Sequence, residues 1–189
     1  ILVATHGRDG LERFRLGSTA DKVIRGAKCP TLVIGPNVNT DLAPYALKRV
    51  FAPLDGSAMA EAALPIARWI AGRMGAELYL ARVVSITPIA YDDSGLDMYP
   101  TDLLSAMEDA SQLYLDRLAG GVGDLSVSTA LLVGQAGGEL LRFVQENPMG
   151  LIVMASHGRT GVARAALGSV ADRLLHGPSP VLIIRPAET

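Results

Sequence analysis

The chain has 189 residues, of which 49% are hydrophobic and 19% charged, a composition typical of one ordinary globular domain with some chain left over. Its formal net charge of −2 gives no basic surface for nucleic acid, and its longest apolar runs are far shorter than the roughly 20 residues of a membrane span. The single cysteine, Cys29, excludes an intramolecular disulfide and favours a reducing compartment, so we expect the protein to be cytoplasmic.

The first predicted unit is a strand, a glycine-rich loop and a helix, and the chain contains this unit twice. Residues 1–26 read ILVATHGRDGLERFRLGSTADKVIRG, and residues 152–177 read IVMASHGRTGVARAALGSVADRLLHG. Each copy then continues through a proline into a short apolar strand, at 31–36 and 181–186. Such a unit can hold a phosphate, because bare backbone N–H groups and a helix N-terminus lie where an anion can reach them.

The first copy has no complete domain in front of it. The chain opens at Ile1 inside a predicted buried strand, which we interpret as an incomplete N-terminus. A piece this small cannot bury enough apolar surface alone. We therefore assign residues 1–36 to the C-terminal part of a first domain, 37–49 to a linker and 50–187 to a complete domain. The linker is predicted from its turn-forming prolines and asparagines.

From residue 50 onward, strands and helices alternate. Apolar runs predict strands at 50–55, 77–84, 126–134, 150–156 and 181–185, and helical spacing predicts helices at 57–75, 101–120, 136–147 and about 169–176. Ser57 is a predicted N-cap, Gly75 a predicted C-terminal glycine, and Pro65 predicts a bend between them. Continuous apolar strands separated by helices indicate an open doubly wound parallel sheet covered on both faces.

A candidate site follows from this topology, because ligands of open α/β sheets bind beyond the carboxyl ends of the strands, where strand order reverses. Asp55 ends the first strand of the complete domain and Gly158 follows the strand at 150–156, so we expect them to face one crevice. Gly158 allows close ligand approach, and Gly168 lets a phosphate touch the backbone. Ser169 is predicted to cap the next helix and to offer its hydroxyl and N–H to that phosphate. Asp55 suits a ribose hydroxyl or, through water, a metal ion.

Several alternatives stay open on the residues alone. Gly158 could be a turn residue only, Asp55 could cap the turn that follows it, and Ser169 caps a helix with or without a ligand. His157 is more often a hydrogen-bonding loop residue than a catalyst. Cys29 is expected to be buried and inert.

Catalysis is disfavoured on the same grounds. We identify no nucleophile paired with a base and no established hydrolase or P-loop motif in the sequence. No histidine has a second histidine or cysteine at ligand spacing, so we predict no protein-bound metal.

Two segments carry a family resemblance. ASHGRTGVARAALGSVADRLLHGPSPVLIIRP closely resembles the C-terminal signature of the universal stress protein family, and VFAPLDGSAMAEAALPIA resembles its first strand and helix. The resemblance covers 50–186 and again 1–36, so the chain is similar to the remainder of a tandem universal stress protein. It implies an α/β fold with a five-stranded parallel sheet in the order 3-2-1-4-5 and dimerisation through the last strand.

The resemblance also implies an ATP site, with or without Mg²⁺. ATP-binding members carry G-x2-G-x9-G-[ST], and here Gly158 matches the second glycine, Gly168 the third and Ser169 the final hydroxyl. Ala155 stands in place of the first glycine, as does Ala4 in the first copy. The positions implied to bind nucleotide are Pro53, Leu54, Asp55 (ribose), Val83 (adenine), Met154, Ala155, His157, Gly158, Arg159, Gly168, Ser169 and Val170.

The first copy is predicted to form only an incomplete second site. It supplies Thr5, Gly7, Gly17 and Ser18 but no counterpart of the ribose and adenine contacts. We further predict that strand 31–34 pairs antiparallel with strand 181–184, as two family subunits would. Left unpaired, such strand edges favour aggregation.

Three functions remain open at this point. The leading one is an ATP-binding regulatory protein of the stress response. The second is a dimerisation or interaction module that binds no nucleotide, for which Ala155 is the main support. The third, an ATP-using enzyme, is disfavoured because no catalytic constellation is visible.

Overall fold

The computed structural model of the protein describes residues 1–5, 17–38, 46–85, 101–155 and 167–185. Its strands are β1 (Leu2–Ala4), β2 (Thr31–Ile34), β3 (Arg49–Leu54), β4 (Glu77–Val84), β5 (Val127–Val133), β6 (Leu151–Ala155) and β7 (Val181–Ile184). Its helices are α1 (Ser18–Gly26), α2 (Ala58–Glu61), α3 (Leu64–Met74), α4 (Thr101–Gly120), α5 (Ala136–Glu146) and α6 (Ser169–Leu175). Within these ranges, none of the helices combines the length and apolar character needed to cross a membrane.

The predicted bend in the helix at 57–75 is a break into two helices. Ser57 caps α2 as predicted, since its hydroxyl accepts the Ala60 N–H at 3.1 Å. The helix then restarts as α3 with Pro65 in its first turn. N–H groups in a first turn have no partner within the helix, so the proline costs no hydrogen bond there. Gly75 ends α3 at φ 59°, a conformation that glycine adopts readily.

The strands form one mixed sheet in the order β1-β2-β7-β6-β3-β4-β5. The strands β3 to β7 run parallel, and β3 lies between β4 and β6, so the direction of chain progression reverses beside β3. The predicted α/β class is confirmed, and across the described residues the sheet has seven strands and is mixed, because β1 and β2 of the N-terminal copy extend the predicted five. The described residues of the N-terminal copy pack into the core of the larger part, where Ala20, Ile24 and Val33 join the cluster around Phe51.

Helices cover both faces of this sheet. The helices α1, α5 and α6 pack on one face, around side chains such as Phe51 and Ile183. The helices α2, α3 and α4 pack on the other, around Leu80 and Val153. Alternate strand residues therefore contribute to two separate cores, as the pleat of a buried strand requires.

The two copies of the sequence repeat use the same strand register. Leu2 pairs with Leu32 between β1 and β2, and the corresponding Val153 pairs with Leu182 between β6 and β7. The predicted antiparallel pairing of β2 with β7 is present within one chain, centred on Leu32 opposite Leu182. On either side of this pair, Thr31 lies opposite Ile183 and Val33 lies opposite Val181. Replacing each residue by its equivalent in the other copy turns one of these pairs into the other, as an approximate two-fold axis requires.

Each copy also contacts the last turn of the other copy's helix. Arg185 Nη2, which follows β7, donates to the Ile24 carbonyl of α1 at 2.8 Å. Gly35, which follows β2, approaches α6 so closely that a β-carbon there would lie 2.1 Å from the Leu175 carbonyl oxygen. The N-terminal copy is therefore packed onto the rest of the protein by contacts to these two helix carbonyls as well as by strand pairing.

Two predictions about burial are wrong, both for reasons of position. Cys29 is exposed rather than buried, because it lies in the turn between α1 and β2. The strand β1 was expected to be buried, but Leu2 is 69% exposed. Among the described residues, β1 lies at the edge of the sheet and pairs with β2 alone.

Candidate functional site

A cavity of about 350 Å³ lies at the carboxyl ends of β3, β4 and β6. This is the point where chain progression across the sheet reverses, the usual ligand position in open α/β sheets. Nine of the residues predicted to bind nucleotide line it: Pro53, Leu54, Asp55, Val83, Met154, Ala155, Gly168, Ser169 and Val170. Segments distant in the sequence therefore meet in one cavity, and their role in binding remains a prediction.

The other predicted residues divide into two groups. His157, Gly158, Arg159 and the first copy's Gly7 lie outside the described residues. The remaining first-copy residues are described and do not line the cavity: Thr5, Gly17 and Ser18. They lie beside β1 and β2, which correspond to β6 and β7 of the larger part. Among the described residues, no strands next to β1 correspond to β3 and β4, which carry the ribose and adenine positions. The incomplete second site therefore stays a prediction.

Asp55 lies in the turn that joins β3 to α2. Its Oδ1 accepts hydrogen bonds from the Ser57 N–H at 2.9 Å and the Ser57 hydroxyl at 2.6 Å. Gly56 between them has φ 85°, which an L side chain rarely adopts. The alternative that Asp55 caps its own turn is therefore correct, and the same partly buried carboxylate lines the cavity.

The helix α6 begins at the cavity, and its first residues differ from expectation. Ser169 was predicted to be the N-cap, but it is the first helical residue and Gly168 is the N-cap. Among the described residues, no side chain caps this helix. Gly168 has φ −62° and ψ 147°, angles that any residue adopts. The glycine therefore provides space at the cavity rather than backbone freedom.

The cavity also has lining residues that sequence reasoning missed. These are Ala60, Arg82, Val84, Ser85, Met107, Ser111, Ala136, Leu140 and Ala171. Arg82 and Ser85 lie on either side of the predicted adenine contact, at the carboxyl end of β4. That position at the end of a central strand could have identified them as lining residues from the sequence. Met107 and Ser111 come from α4, and helical spacing alone does not say which residues of a helix reach a ligand.

Arg82 adds a positive charge to a cavity that also contains the Asp55 carboxylate. Its guanidinium carbon lies 4.7 Å from the centroid of the Tyr114 ring in α4. The guanidinium carbon of Arg117 lies 5.5 Å from the same ring. Burial raises the pKa of the Tyr114 phenol above its usual range, and the Glu61 carboxylate of α2 raises that pKa further.

We expect Tyr114 to titrate at a pH well above the ordinary tyrosine range. The unfolded pKa is about 10, and a raised folded pKa means that folding favours the neutral phenol. The resulting contribution to stability is present below pH 10 and is lost as pH rises through the folded pKa. Tyrosinate absorbance during alkaline titration measures this. Tyr114→Phe should remove the high-pH step and the matched variant Tyr79→Phe should keep it, and the same step in both variants would contradict the assignment.

Comparison with known proteins agrees with this architecture. The sequence profile of the Universal stress protein family matches residues 1–35 and 46–185. A universal stress protein of Mycobacterium tuberculosis is 30% identical over 190 residues, which cover 98% of this chain and 61% of that protein. The chain therefore spans about three fifths of the length of this relative.

Solved structures show the same fold. A universal stress protein structure from Pseudomonas aeruginosa superposes with a TM-score of 0.69 at 19% identity, covering 98% of this chain and 62% of that one. A universal stress protein solved in complex with cAMP superposes with a TM-score of 0.51 at 24% identity, covering 74% of this chain and 97% of that one. At these sequence identities, the superpositions show a shared fold and nothing more.

Proposed function

The chain belongs to the universal stress protein family, and on that premise we propose that it is an ATP-binding regulatory protein of the stress response. The observation that carries the proposal is the convergence of the predicted nucleotide contacts around one cavity of about 350 Å³. This volume is within the range of roughly 300–1,000 Å³ found for small-molecule sites.

The lining residues have the chemistry that each part of a nucleotide needs. Val83 and Met154 offer apolar surface to the adenine ring. The Asp55 carboxylate accepts hydrogen bonds from ribose hydroxyls. The Ser169 hydroxyl and N–H donate to phosphate oxygens, and the lack of a side chain on Gly168 lets those oxygens approach the backbone.

Mg²⁺ fits this site as a companion of ATP rather than as a resident metal. The described residues contain no group of three or more side chains able to hold a metal ion. Mg²⁺ commonly keeps several waters and binds through substrate phosphates, and it needs few protein ligands in that case. We expect phosphate and water oxygens to supply most of its coordination here.

Two further considerations support an adenine nucleotide as the ligand. A protein of the same fold has been solved in complex with cAMP, which is itself an adenine nucleotide. The single cysteine of this chain is consistent with a cytoplasmic protein, where ATP is abundant. Cytoplasmic location remains a prediction.

Isothermal titration with ATP and Mg²⁺ tests the proposal, using protein freed of any co-purified nucleotide. We expect saturable binding at one site per chain, because the first copy lacks the ribose and adenine contacts. GTP serves as the matched control ligand and should bind more weakly, since the apolar base position was assigned to adenine. No detectable binding of ATP would contradict the proposal.

A second candidate is an interaction module that binds no nucleotide. The observation that favours it is Ala155, which is 5% exposed and places a methyl group at the cavity where ATP-binding members carry glycine. Self-association through β2 and β7 also stays a prediction. Because these strands already pair within one chain, an intermolecular pair of the same kind requires the internal one to open.

A further inference from the structure

Arg82 interrupts an apolar row on one face of β4. Leu80 and Leu78, two and four residues earlier on the same face, are fully buried in the core beneath α3 and α4. Arg82 continues this row at the carboxyl end of the strand, where it pairs with Leu54 of β3. A guanidinium on such a face is costly unless its charge is compensated.

The compensation comes from the aromatic ring of Tyr114 in α4. Arg82 stacks on Tyr114 at 4.7 Å, a distance at which the ring face attracts a cation. Arg117 approaches the same ring at 5.5 Å, and its Nη2 lies 3.8 Å from Glu61 Oε1. The Tyr114 ring therefore holds the Arg82 guanidinium against α4.

On its other side, the guanidinium lies against the turn that contains Asp55. A β-carbon at Gly56 would lie 2.9 Å from Arg82 Nη1 and 3.2 Å from Cζ and Nη2. Since Oδ1 of Asp55 accepts two hydrogen bonds from Ser57, the position of the carboxylate is tied to that of the turn. Whatever holds Gly56 in place also sets the position of the carboxylate.

We propose that Arg82 is a positioning residue for Asp55, holding the turn of residues 55–57 against Tyr114 so that the carboxylate meets the ribose hydroxyls of the bound nucleotide. This inference rests on the proposed function, because it takes Asp55 as the ribose contact. Replacement of Arg82 should therefore weaken the contact with the ribose hydroxyls and leave the contacts with the phosphates and the base unchanged.

The first test compares ATP with its 2′-deoxy and 3′-deoxy analogues in titrations of the wild type, Arg82→Met and Arg82→Lys. We expect Arg82→Met to bind ATP about tenfold more weakly than the wild type does. One deoxy analogue should already bind weakly to the wild type, because it lacks the hydroxyl that Asp55 accepts. For that analogue, the affinities of Arg82→Met and the wild type should agree within about twofold. Arg82→Lys, which keeps the charge but loses the planar stack, should be intermediate. The matched control is Arg117→Met, which changes the other arginine on the same ring and should keep the wild-type preference.

The second test needs no nucleotide. Hydrogen exchange of the Ser57 amide, which donates to Asp55, should be about tenfold faster in Arg82→Met and unchanged in Arg117→Met. Unchanged Ser57 exchange in Arg82→Met overturns the proposal, as does an equal loss of affinity for ATP and both analogues. A wild type that binds all three nucleotides equally also overturns it while leaving ATP binding intact. Failure of the wild type to bind ATP contradicts the proposed function instead, and Ser57 exchange still decides whether Arg82 holds the turn.

Discussion

Gly168→Val is expected to weaken ATP binding by about 100-fold, equivalent to about 2.7 kcal/mol, while leaving the protein folded. Gly168 lines the cavity immediately before α6, and an isopropyl group there would occupy the space proposed for the phosphates. Its φ of −62° and ψ of 147° are accessible to valine, so the backbone need not change. Titration calorimetry measures the affinity, and circular dichroism with thermal unfolding checks the fold.

The matched control is Gly26→Val at the end of α1. Gly26 is exposed, and a β-carbon there meets no atom within 4 Å. The same substitution should therefore leave ATP affinity unchanged. If Gly168→Val binds ATP as tightly as the wild type, the phosphates do not bind at the start of α6.

The sequence was most informative where periodicity alone decides the structure. The strand β4 and the helix α4 have the predicted bounds, because each is a long run with a clear apolar period. The break before α3 follows from Pro65, whose missing N–H suits only the first turn of a helix. Such features depend on residues close together in the chain, and local chemistry is sufficient to predict them.

Features that depend on packing between distant segments were predicted less well. The exposure of Leu2 follows from the position of β1 at the edge of the sheet, and an apolar run does not reveal that position. The N-cap of α6 is Gly168 rather than the predicted Ser169. Helix boundaries are uncertain by a residue or two when they are predicted from sequence. The antiparallel pairing of β2 with β7, which joins the N-terminal copy to the sheet, was predicted, but from the family resemblance and not from periodicity.

The candidate site shows the same division. Its residues at strand ends, such as Asp55 and Val83, were predicted from topology and family resemblance, and they line one cavity. Arg82 was missed because charge at the end of an apolar strand is usually solvated, whereas here Tyr114 covers it. Residues that act through a neighbour rather than through the ligand leave no spacing pattern in the sequence.

Gly35→Val is expected to destabilise the protein by about 3 kcal/mol, which corresponds to a decrease of roughly 6–12 °C in Tm for a chain of this size. A β-carbon at residue 35 would lie 2.1 Å from the Leu175 carbonyl oxygen, and that contact is with backbone rather than with a flexible side chain. Relief requires either β2 or the end of α6 to move. The strand β2 is constrained by its antiparallel pairing with β7, and the end of α6 by the burial of Leu174 and Leu175 in the core.

Urea unfolding and thermal unfolding measure the change, with Gly26→Val as the matched glycine control because its side chain enters open space. The neighbouring Asn37 Nδ2 donates to the His176 carbonyl at 2.8 Å, so displacement of the segment after β2 breaks a second link to α6. The loss should therefore appear in the cooperative unfolding of the whole protein. If Gly35→Val unfolds with the wild-type midpoint, the N-terminal copy does not dock against α6 in solution. A separate early transition confined to that copy would instead mean that it detaches while the larger part of the sheet stays folded.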